Sequence, residues 1–205
     1  MAGALIHRLG AYAFGTYGLA FDGRCLWATD YTNSSMRQID PVTGAIIRTL
    51  GPYAFNTYGV AFDGRCLWIF DTADKYIWQI DPVTGALIHR LGPYKIVIRS
   101  LAFDGRCLWA DDYNNAYIYQ IDPVTGAIIR TLGPLAFGPI GLAFDGRCLW
   151  ESDYANAYIY QIDPVTGALI CRLGAYAFGP RGLAFDGRCL WVSDRDNKYI
   201  YQVSL

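Results

Sequence analysis

Five charged side chains stand at positions that vary along an otherwise repetitive chain: Arg99, Asp111, Glu151, Arg181 and Arg195. Two carboxylates around one opening could act as general acid and base, or hold a divalent cation. Asp111 and Glu151 are therefore the candidate catalytic pair. The arginines offer them a different role, because a carboxylate paired with a guanidinium has a lowered pKa and makes a poor general acid. Salt bridging, polar ligand binding and catalysis all stay open for the pair. Lys95 could form a Schiff base only if buried with a depressed pKa, and is otherwise a solvated ammonium. Flat side chains accompany these charges: Tyr17, Tyr31, Tyr58, Phe70, Tyr113 and Tyr154. They suit stacking against a small molecule or a sugar, with arginine and carboxylate groups fixing its orientation. The expected ligand-binding set is Tyr17, Tyr58, Phe70, Lys95, Arg99, Tyr113, Tyr154, Arg181 and Arg195.

Other reactive residue types read as structural. Asp30, Asp71, Asp112, Asp153 and Asp194 recur once per repeat and are expected to accept backbone N–H groups of the loop that follows, with a central metal as the sharper alternative. Cys25, Cys66, Cys107, Cys148 and Cys189 are also equivalents, too far apart to bridge and best read as small buried apolar residues. No CxxC or Cys/His metal spacing is present, and neither a metal nor a cofactor is expected. Cys171 breaks the pattern: it stands where His7 and His89 stand, and could cross-link a dimer of an otherwise monomeric chain.

What positions these residues is a repeat. AFDGRCLW occurs at Ala20, Ala61, Ala102, Ala143 and Ala184, always 41 residues apart, and five such periods make the 205 residues. Fifteen of the 41 positions are the same residue in all five copies. Such regularity is what recent amplification, or a designed or idealised gene, produces. One copy reads as four short antiparallel strands: Gly141–Phe144, Cys148–Asp153, Tyr158–Ile162 and Ala168–Leu173. Asp145-Gly146 makes a tight hairpin, and Asp163–Gly167 a second turn. Four strands in about 41 residues match one propeller blade. The fold class is therefore all-β, a five-bladed β-propeller spanning residues 1–205 as one domain. The chain begins with an outer strand, Gly3–Leu9, and ends with three strands over Gly182–Val203, so the two ends complete one mixed blade and remove an open edge. Met1 and Ala2 fall in the turn columns. Trp27, Trp68, Trp109, Trp150 and Trp191 should pack between blades.

The pattern G-L-A-F-D-G, then L-W-x-x-D, then a third strand ending I-D-P-V-T-G resembles the NHL and YVTN types of bacterial propeller repeat, and that of streptogramin lyase-type propellers. The resemblance covers every blade and implies the fold rather than an activity. A lyase of that type needs a histidine on its active face. His7 and His89 both lie in outer strands, which counts against lyase chemistry.

Where the copies differ, they differ in three stretches. These are the approach to the first strand, the end of the second strand, and the loop after it. In a propeller all three lie around one mouth of the central channel, which favours one asymmetric site over five equivalent ones. The most divergent stretch, Lys95–Ser100, has strong β propensity and replaces a hinge glycine by Ser100; the alternatives are a remodelled side of the mouth or an extended surface loop. The net charge of −1 steers the chain toward neither nucleic acid nor anionic membranes. No stretch reads as a signal peptide or membrane span, so the chain is expected to be soluble. The expected partner is a small molecule or sugar. An enzyme using a funnel carboxylate as general base, and a purely structural scaffold, are the alternatives.

Overall fold

The computed structural model describes residues 3–53 and 56–205. The repeat folds around one invariant aspartate. Oδ1 of Asp22 accepts the backbone N–H groups of Arg24 and Cys25 at 2.9 and 2.6 Å, while Oδ2 accepts the indole N–H of Trp27 at 2.8 Å and the Gln38 amide at 3.3 Å. One carboxylate thus closes the first hairpin and ties its second strand to the third. Gly23, next in the turn, has φ of 90°, a conformation glycine adopts without a Cβ penalty. Asp63, Asp104, Asp145 and Asp186 hold Trp68, Trp109, Trp150 and Trp191 in the same way. That is the physical reason Asp, Gly, Trp and Gln are invariant at these positions.

Among the described residues twenty strands form five four-stranded antiparallel sheets. Blade 1 comprises β2 (Thr16–Phe21), β3 (Leu26–Asp30), β4 (Ser35–Ile39) and β5 (Ile46–Leu50). Blade 2 comprises β6 (Thr57–Phe62), β7 (Leu67–Asp71), β8 (Ile77–Ile80) and β9 (Leu87–Leu91). Blade 3 comprises β10 (Leu101–Phe103), β11 (Leu108–Asp112), β12 (Tyr117–Ile121) and β13 (Ile128–Leu132). Blade 4 comprises β14 (Pro139–Phe144), β15 (Leu149–Asp153), β16 (Tyr158–Ile162) and β17 (Leu169–Gly174). Blade 5 comprises β18 (Leu183–Phe185), β19 (Cys189–Asp194) and β20 (Tyr199–Ser204), completed by β1 (Leu5–Leu9) from the other end of the chain. Arg8 pairs with Tyr201 and Leu9 with Ile200, so the ring is closed by a strand ladder. Met1 and Ala2 lie outside the described residues.

The core is divided among the five blade junctions. Each cluster joins a tryptophan of one blade to aliphatic residues of the next, as Trp27 with Val60, Leu67 and Ile69, or Trp109 with Leu142 and Leu149. The inner strands press together just below the mouth. A Cβ on Gly59 would stand 2.6 Å from the Ser100 Cα, and one on Gly18 would stand 2.5 Å from the Tyr58 carbonyl oxygen. Glycine at this level is what lets five strands converge. Ser100 departs from it and is fully buried, its hydroxyl accepting the Leu142 N–H of blade 4 at 2.9 Å.

Despite its β propensity Lys95–Ser100 is not a strand; the inner strand of blade 3 starts at Leu101, as that of blade 5 starts at Leu183. The N–H groups of Arg99 and Ser100 donate to the Asp111 carboxylate at 2.6 and 2.8 Å. The segment is not a surface loop either, because Ile98 is fully buried against Phe70 and Ile77.

Candidate functional site

The second strand of each blade has a neighbouring blade on either face and is buried throughout. Its side chains alternate, as a pleated strand requires. Ala28, Ile69, Ala110, Glu151 and Val192 face the preceding blade, whereas Thr29, Phe70, Asp111, Ser152 and Ser193 face the following one. Phe70 and Ala110 share the apolar cluster between blades 2 and 3. The Thr29 hydroxyl donates to the Tyr58 carbonyl at 2.7 Å, and that of Ser152 to the Arg181 carbonyl at 2.6 Å. Every junction thus confronts two variable side chains near the inner strands.

Phe70 is therefore core, not a stacking surface. Its ring is fully buried among Ile77, Ile98, Leu101 and Ala110. The expectation that it lines the mouth is corrected because the following blade covers its face of β7.

Asp111 and Glu151 do not open into the funnel either. They face each other's blades across the junction of blades 3 and 4, both fully buried. Asp111 Oδ1 holds the Arg99 and Ser100 N–H groups, and Glu151 Oε1 accepts those of Ile140 and Gly141, each at 3.0 Å. Asp111 Oδ2 and Glu151 Oε2 have no hydrogen-bond partner among the described residues. Burial pushes the Asp111 carboxyl up to about 8, against the lowering pull of its two backbone donors and the Arg99 guanidinium. Burial, and then the neighbouring Asp111, push Glu151 well above the usual carboxylate range.

The expected arginine–carboxylate bridges are absent. Among the described residues the ion pairs are Arg37–Asp30 at 2.9 Å and Arg195–Asp196 at 3.7 Å. The guanidiniums lie over tyrosines instead. Arg99 sits 4.7 Å from the Tyr58 ring centre and 4.9 Å from that of Tyr113. Arg181 lies 4.1 Å from the Tyr154 ring and 5.5 Å from Tyr17, and Arg195 lies 4.7 Å from Tyr17. Tyr17, Tyr31 and Tyr58 meet one another at 4.7–5.4 Å. The chain of contacts runs Tyr113, Arg99, Tyr58, Tyr17, Arg181, Tyr154, so every blade contributes to one cation–aromatic stack. Tyr154 also donates its hydroxyl to Asp196 at 2.7 Å. Burial raises the Tyr17 phenol, Tyr58 adds to the rise, and Arg195 and Arg181 oppose it. The Nε atoms of Arg99 and Arg181 are buried without a hydrogen-bond partner among the described residues. Lys95 stands exposed on the approach to β10.

The five repeated aspartates behave as strand terminators. Asn33 donates its backbone N–H to Asp30 at 3.2 Å and its side-chain amide at 2.7 Å, and Asp112, Asp153 and Asp194 have the same asparagine partner. Asp71 takes the N–H of Ala73 at 2.8 Å. Among the described residues no group of three or more His, Cys, Asp or Glu side chains is arranged to hold a metal. At the other end of the channel, the Leu-Ala-Phe ends of the inner strands (Val-Ala-Phe in blade 2) line a cavity of about 90 Å³, room for waters.

Sequence reasoning missed the confrontation of Asp111 with Glu151. A signal existed: the two varied columns at the end of the second strand complement each other in size across one junction, large Phe70 against small Ala110, and put acid against acid across the next.

The fold and its mouth define a five-bladed β-propeller. No family model matches the sequence, and no curated protein does. Solved structures do match in shape. A glutaminyl cyclase of Myxococcus xanthus superposes with a TM-score of 0.86 at 15% identity, covering 98% of this chain and 95% of that one. The Cps50 (Swd1) propeller domain of Myceliophteria thermophila matches with a TM-score of 0.63 at 12% identity over 99% of each chain. The WD40 propeller of Doa1 matches at 0.60 and 14% identity, over 91% of this chain and 62% of that one. At such identities the likeness is one of fold.

Proposed function

We propose that this propeller is a binding module that takes a small organic anion with a flat or ring-shaped body, an acidic sugar included, at the tyrosine–arginine mouth. The observation that carries the reading is the state of Arg99 and Arg181. Both guanidiniums lie on tyrosine faces, and among the described residues neither has a carboxylate within ion-pair range and each keeps an unpartnered Nε. A carboxylate or phosphate would supply the missing acceptors in bidentate geometry, and a ring would stack where the tyrosines now stack on each other. We read the repeat as one of the NHL or YVTN type on its D-G, L-W-x-x-D and D-P-V-T-G signatures, and its strict period as the mark of recent amplification or design.

Calorimetric titration with benzoate and glucuronate, beside benzamide and glucose, tests this. The anions should bind and the neutral analogues should bind at least tenfold more weakly, a difference of about 1.4 kcal/mol. Arg99→Gln and Arg181→Gln should each remove most of the preference. Equal binding of anionic and neutral partners, or none by either, refutes the reading.

One observation favours a second reading, an enzyme using Glu151 or Asp111 as base: neither acid is held by an arginine, and burial raises both. A structural neighbour is named as a glutaminyl cyclase. Both acids are sealed from solvent, so catalysis would require blades 3 and 4 to part. Turnover abolished by Glu151→Gln but not by Arg99→Gln would favour this reading over the first.

A further inference from the structure

The junction of blades 3 and 4 is unlike the other four. Those place an apolar residue opposite a hydroxyl or an aromatic ring: Ile69 opposite Thr29, Ala110 opposite Phe70, Val192 opposite Ser152 and Ala28 opposite Ser193. This one places acid opposite acid, both fully buried. Each carboxyl uses one oxygen to hold two backbone N–H groups of its own blade and leaves the other without a partner. Two carboxylates cannot both stay ionised in one dry junction, since each loses its hydration and repels the other. The charged groups that bear on Asp111 are the Arg99 guanidinium, which favours its ionised form, and the Asp112 carboxylate, which opposes it. Arg99 is drawn away over two tyrosines and forms no ion pair with either acid.

We infer that Asp111 and Glu151 form a protonated pair that the junction of blades 3 and 4 accepts only in its neutral state, and that the junction loosens when the pair ionises. Ionisation breaks the O–H bond of a carboxyl, passes its proton to a base in solution, and leaves an uncompensated carboxylate oxygen facing the second acid. The change reaches the mouth through a short path. Asp111 Oδ1 holds the backbone N–H of Arg99, whose guanidinium bridges Tyr58 and Tyr113. Ser100, held by the same oxygen, is also the residue that accepts the Leu142 N–H of blade 4. Asp111 is thus a positioning residue for Arg99.

The sign of the pH effect follows from the protons held. Unfolded carboxyls ionise near pH 4, whereas the buried pair keeps its protons to higher pH, up to about 8 for Asp111. The folded chain then binds more protons than the unfolded chain across that interval, so stability is highest in acid and falls as pH rises. Thermal unfolding of the whole chain between pH 5 and pH 8 tests it, beside the isosteric D111N/E151Q variant. The wild-type Tm should fall by about 3–5 °C per pH unit for each retained proton, over and above any slope of the variant. Amide exchange at Arg99 and Ser100 should quicken across the same interval in the wild type alone. If D111N/E151Q fails to fold, D111S/E151V takes its place, copying the Ser152–Val192 pair that the next junction already accommodates. A wild-type Tm that parallels the variant's across the interval overturns the inference. So does recovery of the Tm at pH 8 by calcium or magnesium, which would make the two acids a cation site.

Discussion

Phe70 and Ala110 are the sharpest test of how the blades fit. Phe70 is fully buried, and Ala110 lies in the same cluster on the facing blade. At the preceding junction the corresponding positions carry Thr29 and Ile69, both also fully buried. Replacing Phe70 with threonine removes a ring from a filled core, and truncations of that kind cost about 3–5 kcal/mol. Threonine brings back a hydroxyl in the place where Thr29 bridges two blades, so the lower end is expected, about 3 kcal/mol. Ala110→Ile alone adds carbon atoms beside an intact phenyl ring and should cost about 1–3 kcal/mol through overpacking. Made together, the changes recreate the Thr–Ile pair. The isoleucine adds three methylene equivalents at about 0.8 kcal/mol each, recovering roughly 2 kcal/mol. Urea unfolding of the wild type, both single variants and F70T/A110I gives the coupling energy directly. It should be favourable and at least about 2 kcal/mol, with unchanged m-values. Additive losses, or a double variant worse than both singles, would refute the claim that blade junctions are matched pairs.

Other predictions bear on particular residues. Asp104→Ala should destabilise the chain by about 2–3 kcal/mol, since its carboxylate holds two backbone N–H groups, the Trp109 indole and the Gln120 amide; fluorescence-detected unfolding measures it. Ser100→Gly should cost about 1 kcal/mol in the same assay by removing the acceptor for the Leu142 N–H, although glycine is what the other four copies carry. Native protein should react with one equivalent of a thiol reagent, at exposed Cys171, and with six equivalents once unfolded; the other five thiols are buried, and burial raises each above its usual pKa.

The period of the sequence carried the architecture because every blade repeats the same brackets. Among the described residues the Asp22–Trp27 bond recurs in every copy and the Gln38 bond in four of the five, so identity at those columns marks strand pairing itself. The closing strand was legible too, since an outer strand begins the chain and three strands end it. The roles of the varied columns were harder to read. Variation at the end of the second strand looks like loop tolerance until the strand is seen to be covered on both faces. Then Phe70 becomes core, and Asp111 and Glu151 become a buried pair. Arginines and acids close in sequence columns invite pairing, but the alternation of the strand turns the acids into the junction and leaves Arg99 and Arg181 with the tyrosines. The course of Lys95–Ser100 was hard to read for a related reason: the N–H groups of Arg99 and Ser100 go to Asp111 and Ile98 goes to Phe70 and Ile77, partners visible only in three dimensions.

A crystal of the chain grown with benzoate tests ligand binding at the tyrosine–arginine mouth most directly. The ring should lie between Tyr17 and Tyr58, with its carboxylate within hydrogen-bonding distance of the Arg99 or Arg181 guanidinium, displacing part of the present stack. Benzoate bound only on the outer strands, with the tyrosine–arginine stack unchanged, would contradict it.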